Sequence, residues 1–227
     1  QLSLARIRQL AAHEVGHTLG FNHNFAASTY GGRASVMDYP APLVAIGPDD
    51  VLDFANAYAT GAGAWDVQAV RYAYTQFAPG SDERAQLEAI LRENRDHGYL
   101  YLSDPDTRPD GAAHPLAAMW DNGADPVAGL AHEMAVRRIA LARFGERNVA
   151  PGAPLGTLAE VLGPLYFGHR YALEAAAKSV GGLDYAYAVR GDGAPPARPV
   201  AAERQRAALA AILATLEPAE LDLPESV

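Results

Sequence analysis

The chain has 227 residues, 49% of them hydrophobic, with a net charge of −9 and no cysteine. That is enough apolar material for a sizeable core, while the acidic balance argues against nucleic-acid binding and the lack of cysteine excludes disulfides and thiolate metal ligands. No run of about 18 or more apolar residues occurs, so no membrane-spanning helix is predicted.

The first predicted element is a helix from about Leu4 to Leu19. It leads into His13-Glu14-Val15-Gly16-His17-Thr18-Leu19-Gly20-Phe21-Asn22-His23, the pattern H-E-x-x-H-x-x-G-x-x-H. Residues four apart share a helix face, so His13 and His17 present their imidazoles together to one metal ion. Glu14 is adjacent, able to reach a water on that ion but out of line as a ligand. Gly20 stands where the helix should stop, because glycine accepts the left-handed C-terminal conformation. The chain then turns back and delivers His23 as a third ligand. Three protein ligands with an open fourth position is the pattern of a catalytic zinc site. On the opposite side Leu4, Ile7, Ala11, Val15 and Leu19 form a stripe expected to be buried in a core. Leu10 lies nearer the metal side and is expected to wall the site.

A loop follows with Gly31-Gly32 as its flexible point, then Ala34-Ser35-Val36-Met37-Asp38-Tyr39-Pro40. Pro40-Ala41-Pro42 extends the chain, and Asp49-Asp50 begins a short helical turn. A helix from about Trp65 to Phe77 carries apolar residues on both sides and is expected to lie buried between layers. Ser81 is expected to cap a helix through about Asn94, with Gly98 past its end. Tyr99 to Ser103 alternates as a short strand would. Residues 103–115 read as a solvated Pro/Asp/Gly loop, in which Asp104, Asp106 and Asp110 lack the spacing of a calcium loop.

Asp125 with Pro126 opens a long helix, with Val127, Leu130, Met134, Leu141 and Phe144 as its stripe and Gly145 as its stop. His132-Glu133 within it imitates half a zinc motif, but Val136 stands where the second histidine is needed. Helices near 154–162 and 166–180 follow, the latter closed by Gly181-Gly182. Residues 191–199 form a stiff loop, and a last helix spans about Ala201 to Leu216, ending before Pro218. His97, His114 and His169 have no partners at ligand spacing and read as surface or capping residues.

The histidine motif together with the V-M-D-Y-P turn resembles the metzincin clan of zinc peptidases. More narrowly, the chain is similar to the bacterial Met-zincin proteins, large secreted or periplasmic zinc-dependent peptidases. The Gly63-Ala64-Trp65-Asp66-Val67 helix start and the Trp120-Asp121-Asn122-Gly123 turn fit that family. The resemblance implies Zn2+ held by His13, His17 and His23, with Glu14 as general base and Met37 as the methionine of a Met-turn beneath the metal. It implies Tyr39 as a switchable ligand or transition-state donor. Asp38 stands where astacin-like and serralysin-like members usually have histidine, and Asn24 follows the third ligand where other groups have their own residues. Both depart from those two subgroups.

The implied fold is mainly α: a metzincin-like zinc helix and Met-turn, then a helical C-terminal region. Residues 1–102 would form the C-terminal part of a catalytic domain, with 103–227 packed on it. A metzincin's substrate-binding sheet precedes the zinc helix. Here the chain starts almost at that helix, with Gln at position 1, so the sheet is expected in an N-terminal region of a longer protein. The chain alone is then expected to show little peptidase activity. The expected partner besides that region is a peptide or protein substrate, in a periplasmic or secreted setting. Three alternatives stand beside this reading: a catalytically inactive, zinc-bearing binding or scaffold module, which the intact Glu14 argues against; a hydrolase of a non-peptide amide; and a helical C-terminal part acting as an interaction module.

Overall fold

The computed structural model describes residues 1–223; residues 224–227, the end of the region predicted as 103–227, lie outside it. The chain is mainly helical. Helix α1 (Leu2–Thr18) is followed by an antiparallel hairpin of β1 (Ala45–Ile46) and β2 (Leu52–Asp53), registered Ala45 to Asp53 and Ile46 to Leu52. Then come α2 (Ala64–Tyr74), α3 (Glu83–Asp96), α4 (Pro126–Ala142), α5 (Leu158–Phe167) and α6 (Arg170–Ala177). A second small hairpin of β3 (Leu183–Asp184) and β4 (Arg198–Pro199) precedes α7 (Ala202–Ala214) and the single turn α8 (Pro218–Leu221). Among the described residues no helix is long and apolar enough to cross a membrane.

Local chemistry explains the boundaries. Helix α1 ends in a left-handed Gly20 (φ 85°), with Gly20 N bonded to His17 O at 2.9 Å and Phe21 N to Gly16 O at 3.1 Å. These two bonds satisfy two of the last four carbonyls of the helix and reverse the chain toward His23. The Asp125 carboxylate caps α4 by accepting from Val127 N and Ala128 N, with Pro126 in the first turn. For α3 the cap is Asp82 rather than Ser81. The Ser81 hydroxyl donates to Ala78 O, and the Asp82 carboxylate accepts from Ala85 N.

Two clusters hold the molecule together. Leu130 and Met134 of α4 meet Ala172 and Ala176 of α6, and Leu173, Ala211 and Ile212 close over them, so α4, α6 and α7 form one packed unit. Ala26, Leu102 and Ala117 form the other, with Tyr30, Leu100 and Tyr185 around them. This second cluster draws the segments after α1, after α3 and at the β3 end together beneath the histidines.

Five further expectations are corrected. The stripe of α1 is not buried: Leu4 is 56%, Ile7 60% and Val15 56% exposed. The helix predicted from Trp65 is likewise not enclosed, with Val67, Val70, Tyr72 and Tyr74 exposed. The reason is shared. Part of each apolar side, Ala11, Val15 and Leu19 of α1 and Val70 of α2, lines one open hollow of about 380 Å³ that nothing among the described residues covers. Periodicity identifies a side that needs cover, not the element that covers it.

Residues 99–103 form no strand, because the Asn24 side chain takes their backbone groups, donating to Leu100 O and accepting from Leu102 N. The segment 103–115 is solvated mainly in its middle, where residues 108–111 are exposed, and is packed at both ends. Ser103, Asp106, Thr107 and His114 are buried, and Asp104–Asp106 make a 3-10 turn. His114, read as a surface or capping residue, is fully enclosed. Its Nε2 donates to Tyr185 O and its Nδ1 accepts from Leu116 N.

Candidate metal centre

His13 and His17 stand side by side on α1, and the reversal at Gly20 brings His23 to them. The ring centroids are 4.6 Å (His13–His17), 4.8 Å (His17–His23) and 5.3 Å (His13–His23) apart. One ligand nitrogen from each lies within 4.8 Å of the others. Each Nδ1 is already committed: His13 to Val36 O (2.7 Å), His17 to Phe21 O (2.9 Å), His23 to Asp104 Oδ2 (2.8 Å). Carbonyl and carboxylate oxygens only accept, so Nδ1 carries the proton and Nε2 keeps its lone pair. The Nε2 atoms of His13 and His23 are buried with no hydrogen-bond partner. A buried lone pair without a donor is costly, and a divalent cation satisfies it. Burial also pushes the His13 imidazole below the usual histidine range, with the neighbouring His17 and His23 acting the same way, which keeps it in the neutral form that binds metal.

The Met-turn is clamped against this helix. Met37 is fully buried, and a Cβ on Gly16 would lie 2.1 Å from its Sδ, so the glycine inside the histidine motif is what lets the turn approach. Asp66 of α2 holds the turn from the other side. It accepts from Ser35 Oγ (2.5 Å), Val36 N (2.9 Å) and Gly63 N (2.6 Å). Trp65 N adds a bond to Ala34 O at 2.8 Å. Thus Asp66 fixes Val36, and the Val36 carbonyl fixes His13.

Tyr39 is brought to the same place. Its ring packs on His13 (5.0 Å), His23 (4.7 Å) and Phe25 (5.6 Å), and Trp120 stacks on it at 5.4 Å and 13°. Trp120 N donates to Tyr39 O at 2.7 Å, and Trp120 holds a left-handed backbone (φ 61°) to do so. The Arg108 guanidinium interacts with the Tyr39 phenol and also pairs with Asp104. Burial opposes the charge on Asp104, but hydrogen bonds from Arg108 and His23 outweigh it and hold the carboxyl below the usual carboxylate range. Glu14 is exposed beside His13 and has no hydrogen-bond partner among the described residues; its charge is felt at the His13 ring. A separate cavity of about 790 Å³ lies behind Trp120, between Arg33 and Glu133, and none of the three histidines lines it.

The two departures from the astacin-like pattern have structural uses. Asn24 is fully buried and cross-links the strand-like 100–102 segment, fixing the chain just after His23. Asp38 is buried beneath the turn, accepting from Ser28 N and Tyr39 N, while Ser28 Oγ donates to Asp121. Burial pushes the Asp121 carboxyl up to about 7. Burial, and then the charge of Asp121, push Asp38 well above the ordinary range. A carboxyl whose folded pKa exceeds its unfolded value of about 3.9 binds more protons folded than unfolded. Its stabilising contribution is complete below about pH 3.9 and is lost as pH rises through about 7. In the metal-free chain these carboxyls therefore lower the melting temperature from pH 5 to pH 8, against the opposite pull of the His13, His114 and His169 imidazoles, which burial pushes down. Asp121→Asn, which keeps an acceptor for Ser28, lessens that lowering; an unchanged slope in thermal melts rejects the assignment.

Asp66 and Trp120 stand out in the sequence only as parts of family-like motifs and Asp104 only as a loop carboxylate; their roles at this site, the part of Arg108 and the packing role of Gly16 are visible only in the structure. A family model described as Met-zincin matches residues 1–227. No curated protein and no solved structure matches the chain.

Proposed function

The chain belongs to the Met-zincin family, and on that premise we propose that it forms the metal-binding part of a zinc metallopeptidase that hydrolyses peptide bonds. One observation carries the reading: three converging imidazoles, each with Nδ1 committed to an acceptor, two of them with buried and unpartnered Nε2 atoms. A three-nitrogen donor set suits zinc. When bound there, zinc supplies Lewis acidity, acidifying a water and polarising a carbonyl oxygen. Glu14 accepts the attacking water's proton on its carboxylate and delivers it to the leaving amine. Tyr39 donates a hydrogen bond from its phenol to the developing oxyanion, and Trp120, stacked flat on it, keeps the ring oriented.

The uncovered apolar side of α1 and α2 supports a place for further protein. We assign it to the N-terminal region that the family resemblance implies, whose sheet edge would pair with an extended peptide. A periplasmic or secreted location follows from the same resemblance.

The first test is metal content. The purified chain is expected to bind one zinc, to lose it to a strong chelator, and to regain it on dialysis. His17→Ala, which removes one ligand, is expected to weaken zinc binding by more than the ~10–100-fold typical of an outer-shell change. Wild-type chain that takes up no zinc in a competition titration rejects the reading.

A further inference from the structure

Two of the candidate ligands are placed by the helix itself. His13 and His17 are four apart on α1, so the backbone sets their separation. Their Nδ1 atoms bond to neutral carbonyls of nearby turns. His23 has no such frame. It lies past Gly20 in a segment without repeating structure, before the 3-10 turn Ala27–Thr29. Its orientation comes from Asp104, a charged partner 81 residues away.

That carboxylate is itself held. Arg108 Nε donates to Oδ1, and Ser103 Oγ approaches Oδ2 at 3.4 Å. The turn that presents it is anchored from beneath. Asp106 accepts from the hydroxyls of Tyr185 and Tyr187, Ser103 N bonds to Tyr187 Oη at 3.2 Å, and Lys178 Nζ donates to Thr107 O at 3.1 Å. Thr107 is 2% exposed. Asp104 therefore stands on a rigid, packed turn, although composition alone reads 103–115 as a loop.

We propose that Asp104 and Arg108 are a positioning pair for the third ligand, with Asp104 orienting His23 and holding its proton on Nδ1, and Arg108 fixing Asp104. This inference rests on the zinc reading above. The rings of His13, Phe25 and Tyr39 pack on the His23 imidazole but choose neither its tautomer nor which nitrogen faces the other ligands; a fixed carboxylate on Nδ1 sets both and raises the basicity of Nε2. The bond to His23 is the one among the three with a charged acceptor, the stronger kind. Arg108 suits its task because its Nε holds Oδ1 and leaves Oδ2 to His23, and its guanidinium keeps its charge at all working pH.

The test is zinc affinity of the purified chain, by competition with a chromogenic chelator, beside the melting temperature of the metal-free form. Asp104→Ala is expected to lose ~10–100-fold in affinity with only a small fall in metal-free melting, because the bonds it makes to His23 and Arg108 are partly exposed. Arg108→Met is expected to lose less, and Arg108→Lys to recover part of that loss. The double variant Asp104→Ala/Arg108→Met is expected to bind no more weakly than Asp104→Ala alone, because Arg108 acts through Asp104. Wild-type affinity in Asp104→Ala overturns the inference, as does a loss matched by a large fall in metal-free melting. Additive losses in the double variant overturn the role of Arg108. A wild-type chain that binds no zinc overturns the zinc reading and this inference with it. Tight wild-type binding alongside an unaffected Asp104→Ala overturns this inference alone.

Discussion

Glu14→Ala is expected to keep its zinc and to lose about 10²–10⁴-fold in peptide hydrolysis. The side chain is exposed and bonds to no described residue, so its removal strands no buried partner, and a surface change of this kind costs within about 0.5 kcal/mol of stability. What disappears is a carboxylate one residue from His13, close enough for its charge to act on that ring. The comparison is kcat/KM on a peptide at equal zinc loading, with the proposed N-terminal region present. Undiminished hydrolysis by Glu14→Ala would falsify the assignment of the base. A zinc-loaded wild-type protein inert toward varied peptides favours the binding-module alternative instead. The same assay, run with and without the N-terminal region, tests the apolar side of α1 and α2: comparable turnover in both sinks that region's part in the cleft.

The histidine cluster was legible because all three residues obey local rules. A helix repeat places His13 beside His17, and a glycine able to adopt φ 85° turns the chain back within three residues. Met37 and Tyr39 follow so soon after that little chain is available to carry them elsewhere. The residues that hold this cluster obey no local rule. Asp66 acts on Val36 from a different helix, and Asp104 acts on His23 across 81 residues. Neither has a spacing to betray it, since only the packed turn around Asp106 brings Asp104 into place.

The same distinction separates the helices from their environments. The cap at Asp125 and the stop after α1 are written in single residues. Burial is a property of what lies opposite. The apolar stripe of α1 and both faces of α2 have core-like patterns, yet that stripe and Val67, Val70 and Tyr74 of α2 are exposed, while Trp65 is half-buried against Tyr101. His114 has the spacing of a surface or capping residue, yet it is fully enclosed, with Tyr185 O just after β3 accepting from its Nε2.

Gly63→Ala carries the second large effect, on the fold and the metal together. Gly63 precedes α2, and an added Cβ would lie 2.0 Å from Ala34 O, 2.2 Å from Ala34 C and 2.7 Å from Ser35 N. These are backbone atoms of the Met-turn, so no side-chain rotation relieves the clash. Helix α2 must move away from the turn. That movement breaks the bond from Trp65 N to Ala34 O and those from Ser35 and Val36 to Asp66. A loss of about 3 kcal/mol or more is expected, above ordinary overpacking because a buried hydrogen-bond network goes with it. Since Val36 O orients His13, zinc affinity is expected to fall as well. Gly129→Ala is the control. It lies inside α4, where an added Cβ would meet only Asn122 O at 3.5 Å, an ordinary contact, and alanine there is expected to stabilise by about 0.5–1 kcal/mol. Denaturant unfolding of both variants, with zinc titration of the folded protein, separates the cases. Equal stability of the two variants would mean that α2 does not clamp the turn, and that Asp66 does not govern His13.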